Sequence, residues 1–293
     1  MKSILVPTDF SSYAEHALNF ASQIAKTQSM QIKLLHVVEQ ASAPYMTAVS
    51  TGLSDQLGNV YVLRRLEKAK SHLETLTTQL NSDGISTSYQ IKIGNPYQNI
   101  SAHIKHEQCD LIVMGTHGIS GMEEMILGSN AEKVVRKATC PVVTIKESTN
   151  LEDLKDMVVA IDPMEPAFKH VQLRNLQELF ATRLHLVSVS TPGNFIKERD
   201  GLSKLSEFAR SGNLHDYRIS MYSDLTEEEG IRHYAEDQGA DIIAMATHGR
   251  SGLNHLLAGS VSEQMVNHAP IPVVTVPYKS KRKNPVKDVV LSA

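Results

Sequence analysis

The chain has 293 residues but no tryptophan, only two cysteines, 5% aromatics and no long apolar run. Each scarcity removes a class of protein. Two cysteines cannot build a disulfide framework, so the fold must rest on a packed core. No window approaches the roughly 20 apolar residues that a membrane span needs. The N-terminal MKSILVPTDF is too short an apolar stretch for a signal peptide, and cytoplasmic residence is the expectation. A net charge of -3 supplies no basic field for nucleic acid or anionic lipid. The one basic run (Lys279, Lys281, Arg282, Lys283 and Lys287) reads from composition as a solvated end rather than a docking patch. What remains is ordinary for globular proteins: 41% apolar and 21% charged residues, on a length comfortable for two domains.

A repeat organises the chain. GTHGISGMEEMILGSNAEKVVRKATCPVVTI, from Gly115 to Ile145, aligns without a gap with ATHGRSGLNHLLAGSVSEQMVNHAPIPVVTV, from Ala246 to Val276. Upstream, SILVPTDFS around Asp9 matches MVVAIDPME around Asp162 at an offset larger by 22 residues, which places an insertion in the first half, in the irregular stretch Ala41–Val60. The chain is therefore read as two fused copies. The first domain spans residues 1–148, the second 155–279, and residues 280–293 form the basic tail.

Within each copy, short β-branched runs alternate with helical periodicity. Ile4–Val6, Ile32–Val38, Thr87–Ile93, Leu111–Met114 and Val142–Ile145 read as strands, and Val158–Ile161, Leu184–Val189, Tyr217–Tyr222, Ile242–Met245 and Val273–Val276 repeat them. Ala14, Ala17, Leu18, Ala21 and Ile24 recur at helical spacing behind a Ser12-x-x-Glu15 capping box. This alternation predicts an α/β fold, two tandem doubly wound Rossmann-like domains, each a five-stranded parallel sheet between helices. The fifth strands carry the same PVVT sequence and should lie at sheet edges. A pseudo-twofold pairing of the two edges, an intramolecular pseudo-dimer, follows. It leaves room for a further homodimer.

In such sheets ligands bind beyond the carboxyl ends of the strands, where the strand order reverses. The loops after the first and fourth strands carry Pro7-Thr8-Asp9 and Gly115-x2-Gly118-x9-Gly128-Ser129, the latter opening a helix through Ser129-x-x-Glu132. Glycines admit close backbone approach, and amides at a helix N-terminus suit phosphate oxygens. Together with His36-Val37-Val38 and Cys140-Pro141-Val142-Val143, this pattern resembles the ATP-binding branch of the universal stress protein family, over nearly the whole chain and twice. The resemblance implies an adenine nucleotide (ATP, ADP or AMP), usually with Mg2+, and no metal ligands from protein side chains. In the first half the implied contacts are Pro7, Thr8, Asp9, Val37, Met114, Gly115, His117, Gly118, Gly128, Ser129 and Asn130, with His117 orienting the phosphate loop. In the second half they are Asp162, Val189, Ala246, Gly249, Gly259, Ser260 and Val261. That site should be the weaker, because Ala246 replaces a glycine and Ala160-Ile161 replace Pro-Thr.

Other chemistry finds little support. Asp9 is the single carboxylate expected at the crevice, so paired acid–base catalysis is not indicated. His117 and His248 have no second ligand at a zinc spacing. Cys109 and Cys140 open neighbouring strands and read as two small apolar residues, with a redox pair as the alternative. The stretch 41–60 is read either as a lid over the nucleotide or as a loop without fixed structure. Three functions compete: a nucleotide-binding stress or signalling module with unknown protein partners; a nucleotide-independent interaction or chaperone-like protein; and an ATP-hydrolysing enzyme. The glycine set favours the first. The absence of a Walker lysine, or of a pyrophosphatase-type loop after the first strand, disfavours the third, so that any ATPase activity would be slow and incidental.

Overall fold

The computed structural model describes residues 2–39, 53–107, 109–116, 129–247 and 261–277, with the side chains of 53–59, 129 and 263 left aside. The first half runs β1 (Ser3–Pro7), α1 (Ser12–Gln28), β2 (Gln31–Val38), α2 (Leu53–Ser82), β3 (Thr87–Ile93), α3 (Pro96–His106), β4 (Leu111–Gly115), α4 (Ser129–Lys137) and β5 (Val142–Ile145). The second runs β6 (Asp156–Ala160), α5 (His170–Phe180), β7 (Arg183–Ser190), α6 (Glu198–Ser211), β8 (Tyr217–Ser223), α7 (Glu227–Gln238), β9 (Ile242–Ala246), α8 (Val261–His268) and β10 (Val273–Val276).

The strands form one ten-stranded sheet in the order β3-β2-β1-β4-β5-β10-β9-β6-β7-β8. Each half is parallel throughout, and the halves join where β5 and β10 pair antiparallel, Val143 opposite Val274. Buried on both faces, β1 has no polar side to its pattern: Ile4 and Val6 enter one core and Leu5 the other. The first core lies under α1, α2, α5 and α6, and runs across the seam, where Phe20 of α1 stacks on Phe180 of α5 with centroids 6.3 Å apart. The second lies under α3, α4, α7 and α8.

Both halves lash their first strand to their fourth in the same way. Asp110 Oδ2 accepts from the Ser3 amide at 2.8 Å, and Asp241 Oδ2 accepts from the amides of Lys155 and Asp156 at 2.8 and 2.9 Å. The second of these ties starts β6 two residues earlier than hydropathy places it.

Two local expectations need correction. The cap of α1 is Ser11, not Ser12: Ser11 is extended at ψ 163°, and its Oγ accepts from the Ala14 amide. Glu132 pairs forward with Arg136 at 2.8 Å, one helical turn on, while the Ser129 side chain of the expected capping box lies outside the described residues. The stretch 41–60 is not irregular throughout, since α2 begins at Leu53 and spends much of the insertion on length, 30 residues against 14 in α6. Residues 41–52, on which the lid reading rests, lie outside the described residues, as does the tail 280–293.

Candidate functional site

In the first half the order β3-β2-β1-β4-β5 reverses between β1 and β4, so the segments after Pro7 and Gly115 open at one crevice. Thr8 is fixed at its rim. Its amide donates to the Leu35 carbonyl at 2.9 Å, and its own carbonyl lies 2.8 Å from His36 Nδ1. A carbonyl only accepts, so Nδ1 carries the hydrogen. Burial, the largest influence, lowers the His36 pKa, and the ring is held neutral.

Phe10 follows in a left-handed conformation, φ 66°, held by Thr8 Oγ1 accepting from its amide at 3.1 Å, and its ring stacks on His36 at 4.4 Å. Asp9 Oδ1 accepts from the Ser11 amide at 3.0 Å, so its carboxylate sits at the rim beside the first turn of α1. From α2, His72 meets Phe10 edge-on at 5.0 Å, and Arg65 lies close enough to His36 to lower its pKa further. Sequence reasoning missed Arg65 and His72. Their spacing of two helical turns on α2 was the available signal.

Across the crevice, Gly115 is obligatory. A Cβ there would lie 2.2 Å from the Tyr13 carbonyl oxygen and 2.7 Å from the Ala14 nitrogen. The close approach is therefore to the first turn of α1. Thr116 comes next: its amide donates to the Ile145 carbonyl, its side chain is 3% exposed, and its Oγ1 has no hydrogen-bond partner among the described residues. Thr116 was not among the expected contacts, although Thr247 repeats it in the second half.

Of the other expected residues, Met114 and Val37 turn their side chains to the core under α3 and α4, which leaves only their backbone for a ligand. Asn130 stands half-buried in the first turn of α4. His117, Gly118 and Gly128 lie outside the described residues, as do Gly249, Gly259 and Ser260 and the Ser129 side chain.

The sequence profile of the universal stress protein family matches residues 1–146 and 224–277. The chain belongs to the universal stress protein family. A universal stress protein of Synechocystis is 26% identical over 292 residues, covering 94% of this chain and 99% of its own. One from Methanocaldococcus jannaschii is 30% identical over 157 residues, covering 51% of this chain and 97% of its own. The crystal structure of a universal stress protein from Archaeoglobus fulgidus superposes with a TM-score of 0.72 at 22% identity, covering 94% of this chain and 98% of that one, which places the fold.

The universal stress protein profile passes over residues 147–223, and the second crevice departs from the first both there and beyond. Asp162 repeats the turn of Asp9, its Oδ1 accepting from the Met164 amide at 2.9 Å, but α5 does not begin until His170. Residues 163–169 are not helical, unlike the first turn of α1 that crowds Gly115, and the Ala246 methyl packs into the core. Val189 is buried against Gly230, where an added Cβ would meet it at 2.5 Å. Val261 packs at the start of α8. The first turn of α7 carries Glu227, Glu228 and Glu229, whereas that of α3 carries no acid.

Among the described residues no group of three or more His, Cys, Asp or Glu side chains could hold a metal ion. No described helix is long and apolar enough to cross a membrane.

Proposed function

We propose that the first half binds an adenine nucleotide, ATP or its di- or monophosphate, with Mg2+ carried on the phosphates, and that the protein acts in the cytoplasm as a nucleotide-responsive stress or signalling module rather than as an enzyme. The observation that carries this is Thr116. A buried hydroxyl without a partner among the described residues, at the strand-order reversal and one strand from Asp9, is costly unless a ligand satisfies it. The turn at Asp9 offers a carboxylate for ribose or adenine donors. The neutral His36 and Phe10 stack stiffens that rim. The start of α4 at Ser129 supplies amides for phosphate oxygens. Among the described residues no pair at this crevice is disposed as acid and base, and binding without turnover is the expected behaviour.

Isothermal calorimetry tests the reading. ATP or ADP should bind tighter than about 1 mM, roughly −4 kcal/mol. Thr116→Val, of equal shape, should weaken binding about tenfold, or ~1.4 kcal/mol. Gly118→Val should abolish binding with the circular dichroism spectrum unchanged. No measurable affinity in the wild type overturns the proposal.

A further inference from the structure

Three of the described apolar side chains most open to water share one end of the second half. Met164 is 65% exposed, Phe195 77% and Leu225 75%. They sit on the connections after β6, β7 and β8, adjacent parallel strands, so all three crown the carboxyl end of that sheet. The connections after β7 and β8 are tied together: the Asp224 amide donates to the Ser190 carbonyl at 3.1 Å, and Asn194 Nδ2 lies 3.4 Å from Glu227 Oε1. Residues 161–169, 191–200 and 223–229 hold eight acidic side chains against three basic. An apolar face in an acidic setting disfavours phosphate and favours a chain that is basic and apolar in turn.

We propose that this face is covered by the chain's own C-terminal residues 279–293. That segment carries Lys279, Lys281, Arg282, Lys283 and Lys287 against Asp288 alone, then the apolar run Val289-Val290-Leu291. It departs from the right place. β10 runs parallel to β9, and β9 to β6, so β10 ends on the same side as the three connections; the carbonyl of Pro277 already accepts from Gln172 Nε2 on α5 at 3.3 Å. Val289 follows Pro277 by twelve residues, a reach of about 40 Å, while β7 stands three strand positions from β10, about 15 Å. The basic residues meet the acidic connections first, and the apolar run settles on Phe195 and its neighbours. Composition alone marked this segment as merely solvated; the surface beside its exit gives it a destination. The proposal does not depend on nucleotide binding in the first half.

The chain has no tryptophan, so Phe195→Trp places a sole indole reporter on the face. In the full-length variant, the indole should emit at shorter wavelength and resist acrylamide quenching severalfold better than in the same variant truncated after Tyr278. A Val290→Asp substitution in the full-length chain should mimic truncation. A peptide of residues 279–293, added to the truncated protein at up to about 1 mM, the effective concentration a short tether supplies, should restore the protection, and salt at roughly 0.5 M should weaken it. Equal quenching in the full-length and truncated proteins overturns the proposal. So does protection that survives truncation and grows with protein concentration, which assigns the face to a second copy.

Discussion

The hydroxyl of Thr144 donates to the carbonyl of Val273 at 3.2 Å, and that of Thr275 donates to Val142 at 3.4 Å, each bond the counterpart of the other across the seam. Val143 and Val274, opposite one another and fully buried, lie where the pseudo-twofold axis crosses the sheet. This is the isologous contact of a C2 dimer written within one chain. Each half covers the other's edge, so neither offers an unpaired strand there.

Placing a charge on that axis should therefore break the molecule in two. Val143→Lys buries an ammonium among valines, at a cost of about 3–5 kcal/mol. Small-angle scattering should give a radius of gyration of about 20 Å for the wild-type chain, the value for one compact body of this length, and a larger one for Val143→Lys or Val274→Lys. A wild-type chain whose halves already tumble separately by NMR relaxation removes the seam from solution.

Gly115 and Ala246 occupy matching positions with different neighbours, and their exchanges should not be symmetrical. Gly115→Ala thrusts a methyl against the Tyr13 carbonyl, so the first turn of α1 must move and carry the Asp9 turn with it. The expected loss is about 1–3 kcal/mol of stability together with weaker nucleotide binding. Ala246→Gly opens only a small core void, costs about 1 kcal/mol and leaves nucleotide affinity unchanged. Thermal denaturation and titration of both variants decide the matter. A gain of a second nucleotide site in Ala246→Gly shows the methyl to be the obstacle after all.

Much of the fold was legible because the signals are periodic and doubled. Apolar strands of four to eight residues, the repeat from Gly115 and Ala246, and the shared PVVT edges mark the strands, their direction and the seam. What escaped depends on contacts that spacing does not encode. Ser11 and Ser12 are equivalent as letters, and only the left-handed Phe10 between Asp9 and the helix selects Ser11 as the cap. The glycine of Gly115-x2-Gly118 reads as a phosphate cradle, yet its missing Cβ is required by a helix turn from far upstream. Thr116 looked like filler within the motif, and its burial without a partner is a property of the folded crevice. Arg65 and His72 come to the site on a helix lengthened by the insertion, where a strand-end rule does not look.

The two thiols should behave as inert apolar groups. Burial pushes Cys140 up to about 12 and raises Cys109 as well, and both are free. Thiolate, the reactive form, is then scarce at pH 8. Ellman's reagent should modify the native protein at least about a hundredfold more slowly than the protein in guanidinium, with Cys140 the slower of the two. Rapid native labelling, or an internal disulfide formed under mild oxidant, would restore the redox reading.

Lys146 fastens one half to the other from just beyond β5. Its side chain is 9% exposed, and Nζ donates to the carbonyls of Asn267 and Ala269 at 2.6 and 2.7 Å, at the end of α8, where that helix leaves acceptors unmet. Burial pulls its pKa from 10.5 down to about 8. Between those values the unfolded chain holds a proton that the folded chain has released, so this residue makes stability rise with pH from about 8 to about 10.5. Lys146→Met keeps the length of the side chain but strands both carbonyls, and should cost about 1 kcal/mol at pH 7, where the wild type also bears the burden of a buried charge. The gap should widen by a few kcal/mol as pH approaches 10, because only the wild type gains there. Urea unfolding of the two proteins at pH 7, 8.5 and 10 measures it. A difference that stays constant across that range means that Lys146 does not titrate in the folded protein, and that the helix carbonyls hold its charge against the pull of burial.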